Sequence, residues 1–419
     1  MPAADVLILT NGPGEVATWV RPVVQQLRQI WGERLRISVV LSPCPHSTGL
    51  ETRILEQIPG VTRVQAAQHF WPFLLWGQTV DHWDWLPRGV VVFLGGDPFY
   101  TLVCGWRLGY PTLAYAEVRV RWPQWFSGLA LANKHLLTQM SPQHQRRARV
   151  VGDLMVAAAS AWEKTASPRR QIGLLPGSKT YKLTQGVPFC LTVAAWLSER
   201  HPDVDFVLPV APTLTLNDLA RYADPRVNPL IQRLGWETAV LTHDQQEHYF
   251  ALKNGTRVRL VTDFPAYEVL QQCCVCVTTV GANTAELTAL GVPMIVLLLT
   301  HQPLGEVARA WDGLAGVAAS LPGVGRAFAT VYGQWMQRRL GLLAWPNIWA
   351  GRMVVPELIG AIAPETVGEM ISQYLQHPEQ LAHIQAELRQ VRGPLGADQA
   401  VAQMITQLLT DGRIDKVNE

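Results

Sequence analysis

The sequence lacks any uninterrupted apolar stretch long enough to cross a bilayer, although 48% of its 419 residues are hydrophobic. A membrane-spanning helix needs about 20 consecutive apolar residues. The first residues also lead directly into a short strand, without the basic segment and apolar core of a secretory signal. We therefore expect a cytoplasmic protein that is either soluble or bound to the inner face of the cytoplasmic membrane.

An excess of charge of either sign is also missing. The chain has 35 Lys and Arg residues against 33 Asp and Glu residues, which gives a formal net charge of +2. Proteins that bind nucleic acid show a strong basic bias, so we do not expect nucleic acid as a partner. A local basic face would still suit an anionic membrane surface.

Patterns of metal ligands are absent as well. The histidines are dispersed, and three of the six cysteines fall in the apolar run Cys273 to Cys276, with no histidine beside them. Adjacent side chains of a strand point to opposite faces, whereas structural zinc needs four convergent ligands. We interpret the cysteines as reduced thiols in a core and expect neither a metal nor any other cofactor.

What the sequence does contain is a repeated alternation of short β-rich runs with helical segments, which indicates parallel sheets with crossover helices. A chain of 419 residues exceeds the usual size of a single core, and the pattern restarts after Pro168. The helices expected after the first strand of each half are Glu15 to Ile30 and Val187 to Glu199. The predicted strands are Val6 to Thr10, Ile37 to Leu41, Val90 to Leu94, Thr112 to Ala116, Ile172 to Leu175, Phe206 to Pro209, Arg257 to Val261, Val275 to Thr279 and Met294 to Leu298.

We predict an α/β fold of two Rossmann-like domains, residues 1–160 and 168–363, that face each other across a cleft. The linker is expected between Ala157 and Arg170, and residues 364–419 are expected to form a helical tail. Ligands of α/β sheets bind beyond the carboxyl ends of the strands. Four segments are therefore predicted to border the cleft: Gly12 to Glu15, Gly95 to Asp97, Pro176 to Lys179 and Gly281 to Glu286.

The segment that begins at Gly281 is the most informative of the four. It runs from an apolar strand through the small residues Ala282, Asn283 and Thr284 into a helix. Exposed N–H groups at such a helix start favour a diphosphate, and Glu286 is placed to accept hydrogen bonds from ribose hydroxyls. The alternative is a plain strand-to-helix turn with a surface glutamate.

A second turn of this kind contains Gly177, Ser178 and Lys179. Glycine lets the backbone approach a ligand closely, and the serine and lysine side chains can hold phosphate oxygens. Lysine supplies a point charge that suits a departing diphosphate. The spacing is not that of a Walker loop.

Two carboxylates mark strand ends in the first half. Asp97 follows a pair of glycines, and Glu15 follows Gly14. A carboxylate at such a position can take a proton from an attacking hydroxyl group. Each has an alternative interpretation as the cap of the helix that begins there.

Tryptophan is abundant, with 16 residues. Aromatic side chains next to arginine suit a membrane interface or a pocket for an acyl chain, and burial in a core is the alternative. The candidates for acceptor or membrane contact are Trp71, Phe73, Trp76, Arg119, Arg121 and Trp122, together with Gly14.

A further motif, Pro346 to Leu358, reads Pro-Asn-Ile-Trp-Ala-Gly-Arg-Met-Val-Val-Pro-Glu-Leu. Together with Leu174 to Ser178, Gly281 to Glu286 and Gly291 to Met294, it resembles the lipid-A-disaccharide synthase family. The resemblance covers most of the chain and is strongest from Ile172 onward.

The resemblance implies a GT-B fold and an inverting glycosyl transfer without a required metal. Members transfer 2,3-diacylglucosamine from UDP to 2,3-diacylglucosamine 1-phosphate and form a β-1,6 link in lipid A biosynthesis. Glu286 would bind the UDP ribose, Asn347 would lie on the nucleotide side, and Asp97 would correspond to the essential aspartate of the first domain. Members are peripheral membrane proteins, and homodimers with exchanged C-terminal segments occur among them.

The sequence departs from the family pattern mainly in its first half. The Gly-Glu-Ala-Ser-Gly-Asp loop is replaced by Gly14 to Trp19, Asp-Ala-Pro-Asp-Phe by Gly96 to Phe99, and Tyr-Val-Ser-Pro by Tyr115 to Val118. In the second half, Lys182 replaces a glutamate. The use of a UDP-linked sugar therefore has more support than the identity of the lipid-linked acceptor.

We predict that Asp97 or Glu15 deprotonates the acceptor, while Lys179 and the helix start near Gly281 stabilise the departing UDP. Three alternatives stay open: transfer to a different glycolipid, a UDP-N-acetylglucosamine 2-epimerase, and a catalytically silent relative that binds lipid or nucleotide.

Overall fold

The computed structural model describes residues 3–44, 51–117, 119–160, 169–244, 247–301, 341–393 and 395–411. The chain divides into two compact units. The first comprises Met1–Ala161 together with Gly393–Glu419, and the second comprises Trp162–Arg392. Most of the predicted linker lies outside the described residues. Each unit has its own sheet and its own hydrophobic core.

The first unit is built on strands that all pair in parallel. The strands are β1 (Ala4–Thr10), β2 (Leu35–Leu41), β3 (Arg63–Gln65), β4 (Gly89–Phe93), β5 (Thr112–Ala116), β6 (Gly128–Leu131) and β7 (Ala148–Val150). They form one sheet in the order β3-β2-β1-β4-β5-β6-β7. The order changes direction between β1 and β4, and α/β sheets bind ligands beyond the strand ends at such a switch point.

Helices cover this sheet on both faces, as the continuous apolar character of its strands requires. The helices before the second unit are α1 (Pro13–Glu15), α2 (Arg21–Trp31), α3 (Glu51–Glu56), α4 (Phe70–Trp76), α5 (Pro98–Leu108), α6 (Lys134–Thr138), α7 (Pro142–Gln145) and α8 (Leu154–Ser160). A π-helical segment, Val16–Val20, lies between α1 and α2. The predicted helix from Glu15 to Ile30 is therefore present, but with an irregular first part.

The second unit contains the strands β8 (Arg170–Leu175), β9 (Val204–Pro209), β10 (Ala239–His243), β11 (His248–Leu252), β12 (Arg257–Val261), β13 (Cys273–Thr279), β14 (Met294–Leu299) and β15 (Glu357–Gly360). They form one sheet in the order β10-β11-β12-β9-β8-β13-β14-β15. The pairs β10–β11 and β11–β12 are antiparallel, and the other pairs are parallel. The switch point lies between β8 and β13.

The helices of the second unit are α9 (Thr180–Arg200), α10 (Leu216–Arg221), α11 (Leu230–Leu234), α12 (Tyr267–Leu270), α13 (Ala282–Leu290), α14 (Trp345–Ala350), α15 (Pro364–Gln376) and α16 (Pro378–Val391). α9 begins well before the predicted start at Val187 and carries Pro188 in its interior. No helix in the described ranges is both long and apolar enough to span a membrane.

The last helix, α17 (Ala397–Asp411), belongs to the first unit. Its residues Val401, Ile405 and Leu408 are buried in the core of that unit. The Trp31 indole N–H on α2 donates to the Thr406 hydroxyl at 2.9 Å. The segment that we predicted as one tail is thus divided, with α15 and α16 in the second unit and α17 in the first.

The fold class predicted from the sequence is confirmed, and all the predicted strands are present. The sequence analysis missed β3, β6 and β7, which are too short to produce a clear hydrophobic pattern. It also missed β10, β11 and β15, in which partly buried or exposed side chains outnumber buried ones.

Candidate functional site

The turns that follow β8 and β13 are neighbours at the carboxyl edge of the second sheet, because these strands pair in parallel. Gly177 in the first turn has a φ angle of +98°, and Gly281 in the second has a φ angle of +148°. Both values favour glycine. A Cβ atom on Gly177 would lie 3.0 Å from the Thr279 hydroxyl oxygen. A side chain at Gly177 would therefore be tightly packed against Thr279 and would require its neighbours to shift.

The side chain of Lys182 joins these two turns. Its ammonium group donates to the Val280 carbonyl oxygen at 2.5 Å, which uses one of its three N–H donors. A Cβ atom on Gly281 would lie 3.2 Å from the same nitrogen. Burial lowers the pKa of Lys182, and the positive charge of Lys179 lowers it further. The structure thus places a partly desolvated cation at the start of α13.

Ser178 and Lys179 lie on the exposed side of the first turn. Lys179 is the N-cap residue of α9, and its carbonyl oxygen accepts a hydrogen bond from the Lys182 N–H group at 2.9 Å. The two lysines are therefore one helical turn apart, and both belong to the same strand-to-helix connection.

The first turn of α13 combines exposed and buried residues. Ala282 is exposed, Asn283 is partly exposed, and Thr284 is fully buried. The Thr284 hydroxyl donates to the Gly281 carbonyl oxygen at 2.8 Å, which holds the shape of the turn. The first N–H groups of a helix have no acceptor within the helix and carry the positive end of its dipole. This helix start and Lys182 together form an arrangement that suits a diphosphate.

Glu286 lies one turn into α13 and is partly exposed. Desolvation of its carboxyl group raises the pKa to about 7. No donor or cation among the residues that the structure describes pairs with this carboxylate. That Glu286 accepts hydrogen bonds from a ribose stays a prediction, and with this pKa its charge changes near neutral pH.

The Asn347 side chain forms hydrogen bonds within its own motif, Pro346 to Leu358. Its amide nitrogen donates to the Val355 carbonyl oxygen at 2.8 Å and to Glu357 Oε1 at 2.6 Å. Its Oδ1 accepts the N–H groups of Val354 and Val355 at 2.7 and 2.9 Å. The side chain is fully buried, and all its hydrogen-bonding positions are used. This geometry is at variance with the predicted place of Asn347 on the nucleotide side, because no group is left for a ligand.

The same motif supports the start of α13 from behind. The Trp345 N–H group donates to the Thr284 hydroxyl oxygen at 3.2 Å. The Glu357 carboxylate accepts the N–H groups of Leu343 and Ala344 at 3.0 and 2.8 Å. The segment around Asn347 therefore positions the glycine turn indirectly.

In the first unit, Asp97 follows β4 at the switch point and is the N-cap residue of α5. One carboxylate oxygen accepts the Phe99 N–H group at 2.9 Å, and the other accepts from Arg121 at 3.2 Å. The capping geometry that we gave as the alternative is thus present. Both carboxylate oxygens of Asp97 are therefore engaged by protein donors.

Glu15 lies at the end of α1, on the other side of this switch point. Its side chain folds back over Gly12, where a Cβ atom would collide with Glu15 Oε2. A Cβ atom on Gly95 would lie 3.1 Å from Glu15 Cγ. The Gly14 carbonyl oxygen accepts from the Thr18 hydroxyl at 2.8 Å. The structure therefore brings Glu15 beside the glycine turn that precedes Asp97.

A third carboxylate, Glu117, lies at the same edge of the first sheet. It follows β5 directly and is partly buried. Desolvation raises the pKa of Glu117 to about 7, and the negative charges of Asp153 and Glu15 contribute to the shift. Asp153 is itself buried, with its pKa raised by desolvation, and its carboxylate accepts from the Tyr115 hydroxyl at 3.4 Å.

The aromatic segment on α4 divides between surface and core. Trp71 and Trp76 are 48% and 67% exposed, whereas Phe73 is 3% exposed. Phe73 packs in an apolar cluster with Leu7 of β1, so it is not available for membrane contact. A residue that the sequence analysis did not select, Trp106 on α5, is 85% exposed.

Arg121 and Trp122 contact the start of α5. Arg119 is exposed, and the Arg121 guanidinium lies 4.4 Å from the centroid of the Trp122 ring. The Trp122 ring also meets the Phe99 ring edge to face, with 5.6 Å between centroids. The structure therefore brings Arg121 and Trp122 together with Asp97.

Two residues of interest, Lys182 and Glu117, were not selected as site residues from the sequence. Glu117 directly follows a predicted strand, so the rule that selected Asp97 would have found it. Lys182 lies one helical turn beyond Lys179 and would have been found with the correct start of α9.

In the described part of the chain, no three His, Cys, Asp or Glu side chains are grouped to hold a metal ion. The thiols of Cys273, Cys274 and Cys276 in β13 are free. That the protein works without a metal stays a prediction.

No family model matches the chain. Curated lipid-A-disaccharide synthases are similar to it in sequence. This confirms the predicted resemblance, and the low identity is that of a divergent relative. The sequence from Geobacter sulfurreducens is 28% identical over 249 residues, which are 58% of this chain and 50% of that protein. The sequence from Myxococcus xanthus is 24% identical over 281 residues, which are 64% of this chain and 59% of that protein. The chain thus spans about half the length of the curated relatives it matches.

Solved structures support the GT-B fold class. The UDP-GlcNAc 2-epimerase from Neisseria meningitidis bound to UDP-GlcNAc gives a TM-score of 0.55 at 13% identity, with 96% of this chain and 100% of that chain covered. The S. aureus MnaA–UDP co-structure gives a TM-score of 0.52 at 13% identity, with 100% of both chains covered.

The position and pKa of Glu286 generate a prediction about nucleotide binding. If the ionised carboxylate accepts the ribose hydroxyls, affinity for UDP-N-acetylglucosamine should rise from about pH 6 to about pH 8, because the pKa of Glu286 lies near 7. The Glu286→Gln variant should bind about tenfold more weakly at the higher pH and lose this dependence. Titration calorimetry measures both effects.

The matched control is Glu268→Gln, which changes an exposed glutamate of the same unit and should keep the pH dependence. An unaltered pH dependence in Glu286→Gln would contradict the assignment.

Proposed function

We propose that this protein is a glycosyltransferase that uses a UDP-linked sugar as donor. The observation that carries the proposal is the pair of glycine turns after β8 and β13, joined by Lys182 at the start of α13. The similarity to curated lipid-A-disaccharide synthases supports it.

On the donor side, the helix start and the two lysines supply positive charge where the departing UDP gains negative charge. Such preorganised groups lower the barrier because they need no rearrangement during the reaction. Lys182 is partly desolvated, and a charge acts more strongly where water is excluded. Ser178 and the N–H groups of Ala282 and Asn283 are further phosphate contacts in this proposal.

The reaction that fits the resemblance is transfer of 2,3-diacylglucosamine from UDP to 2,3-diacylglucosamine 1-phosphate with inversion, as in lipid A biosynthesis. A carboxylate of the first unit takes the proton from the acceptor hydroxyl. Glu15, Asp97 and Glu117 are candidates for this role, because each lies at the carboxyl edge of that unit's sheet.

Contact with an anionic membrane surface is part of the proposal, because both substrates would carry acyl chains. α4 and α5 present the exposed side chains Trp71, Trp76 and Trp106. Arg107, next to Trp106, donates to the Phe73 and Leu75 carbonyl oxygens at the end of α4. These hydrogen bonds connect α4 and α5, and exposed tryptophan side chains suit insertion at an interface.

A second candidate function is that of a UDP-N-acetylglucosamine 2-epimerase. The enzyme from Neisseria meningitidis reported above, with a TM-score of 0.55, has this activity and shares the fold. An epimerase needs only the nucleotide sugar and no acceptor. The two candidates therefore differ in their requirement for a second substrate.

The direct test is to incubate the purified protein with UDP-2,3-diacylglucosamine and 2,3-diacylglucosamine 1-phosphate and to analyse the lipids by mass spectrometry. We expect a disaccharide 1-phosphate and one UDP per disaccharide. Formation of N-acetylmannosamine from UDP-N-acetylglucosamine alone would identify the epimerase, and transfer only to another glycolipid would change the acceptor. UDP binding without any turnover would defeat the proposed activity.

The membrane part of the proposal predicts the effect of replacing two exposed tryptophans. The double variant Trp76→Ala, Trp106→Ala should lose at least about tenfold in affinity for vesicles that contain anionic lipid, because each buried tryptophan contributes more than about 1 kcal/mol. Vesicle co-sedimentation measures the loss.

The matched control is Val240→Ala, which changes a side chain of the second unit that is 68% exposed. It should leave vesicle binding unchanged. Equal binding by the double variant and the wild type would contradict the assigned surface.

A further inference from the structure

The turn at Gly281 is held by side chains from outside it, because glycine has no side chain that restricts its own backbone. Two successive carbonyl groups of this turn are fixed in this way. The Lys182 ammonium group donates to the Val280 carbonyl oxygen at 2.5 Å, and the Thr284 hydroxyl donates to the Gly281 carbonyl oxygen at 2.8 Å. The conformation of the turn therefore depends on Thr284 as well as on Lys182.

The direction of the Thr284 hydroxyl is fixed by its second partner. A hydroxyl group has one proton to donate and two lone pairs that accept. The Trp345 N–H group lies 3.2 Å from the hydroxyl oxygen and is a donor, so the hydroxyl accepts there. Its single proton is therefore left for the Gly281 carbonyl oxygen. Thr284 is fully buried, so water does not compete for either hydrogen bond.

The backbone at Trp345 is in turn held by the sheet. Glu357, the first residue of β15, accepts the Ala344 N–H group at 2.8 Å and the Asn347 amide at 2.6 Å. Ala344 directly precedes Trp345 in the chain. A continuous set of hydrogen bonds and peptide bonds therefore links β15 to the Thr284 hydroxyl.

The hydrogen bond to the Gly281 carbonyl oxygen also sets the direction of the next N–H group. The peptide between Gly281 and Ala282 is planar and trans, so its N–H group points opposite to its C=O group. Since the carbonyl points into α13 toward Thr284, the Ala282 N–H group points out of the start of the helix. In the described ranges, no acceptor takes the N–H groups of Ala282 or Asn283. Both stay available for phosphate oxygens.

We propose that Thr284 is a positioning residue for the diphosphate of the donor. It touches no ligand, and it acts through the Gly281 peptide on the N–H groups of Ala282 and Asn283. Donors that are already oriented bind a ligand more tightly, because less conformational freedom is lost on binding. The inference rests on the proposed function and gives residues 345–357 a task in it.

The test measures the affinity for UDP by titration calorimetry. Valine keeps the shape of threonine and removes the hydroxyl, so Thr284→Val should bind UDP about tenfold more weakly than the wild type. Thr284→Ser keeps the hydroxyl and should bind within about twofold of the wild type. The matched control is Thr288→Val. Thr288 is also fully buried on α13, but its hydroxyl donates to the Thr284 carbonyl oxygen, so this variant should bind UDP as the wild type does.

Two further measurements separate positioning from a loss of stability. Thr284→Val and Thr288→Val each remove one buried, hydrogen-bonded hydroxyl, so both should lower the melting temperature, whereas only Thr284→Val should lose affinity for UDP. Uridine has no phosphate groups. It should therefore bind equally well to the wild type and to Thr284→Val in ligand-observed NMR titrations.

Wild-type affinity for UDP in Thr284→Val would overturn the positioning role. An equal loss of affinity in Thr288→Val, or a parallel loss of affinity for uridine in Thr284→Val, would overturn it too, and each of these results leaves the proposed function intact. A wild type that does not bind UDP would defeat the proposed function, and the positioning role with it.

Discussion

The hydrogen bond from the Lys182 ammonium group to the Val280 carbonyl oxygen is the interaction on which the proposed donor site depends. It connects the turn after β8 with the turn after β13, and it places a cation where the first N–H groups of α13 begin. The family pattern that the sequence resembles has a glutamate at this position, so Lys182 is a departure from that pattern. The departure exchanges a negative charge for a positive one, so the change strengthens an anion site. The Asn347–Glu357 network and the Trp345–Thr284 hydrogen bond hold the same turn from the other side.

In the first unit, charged residues also lie at the strand ends, but their charge is negative. Its strand ends collect Glu15, Asp97 and Glu117, while the family motifs of this half are largely replaced. Asp97 is engaged by Arg121 and by the start of α5. Desolvation raises the pKa of Glu117, and the negative charges of Asp153 and Glu15 contribute to the shift.

The sequence was sufficient to predict the two α/β units and the four strand ends, because buried parallel strands read as continuous apolar runs and glycines mark their ends. It was not sufficient for residues whose role depends on tertiary packing. Asn347 was placed on the nucleotide side by resemblance, but its hydrogen bonds are all internal. Phe73 follows Trp71 by two positions on a helix, so the two side chains face different environments. The pKa of Glu117 is raised by burial and, to a smaller extent, by the charges of Asp153 and Glu15, which are distant in sequence.

The most direct test of the donor site is the affinity of UDP for the Lys182→Met variant, measured by titration calorimetry. Methionine keeps the length of the side chain and removes the charge, whereas Lys253→Met changes an exposed lysine of the same unit. We predict that Lys182→Met binds UDP about 10- to 100-fold more weakly, because a hydrogen bond to a charged group contributes about 1.5–3 kcal/mol. Lys253→Met should bind as the wild type does. Wild-type affinity in Lys182→Met would contradict the account of this site.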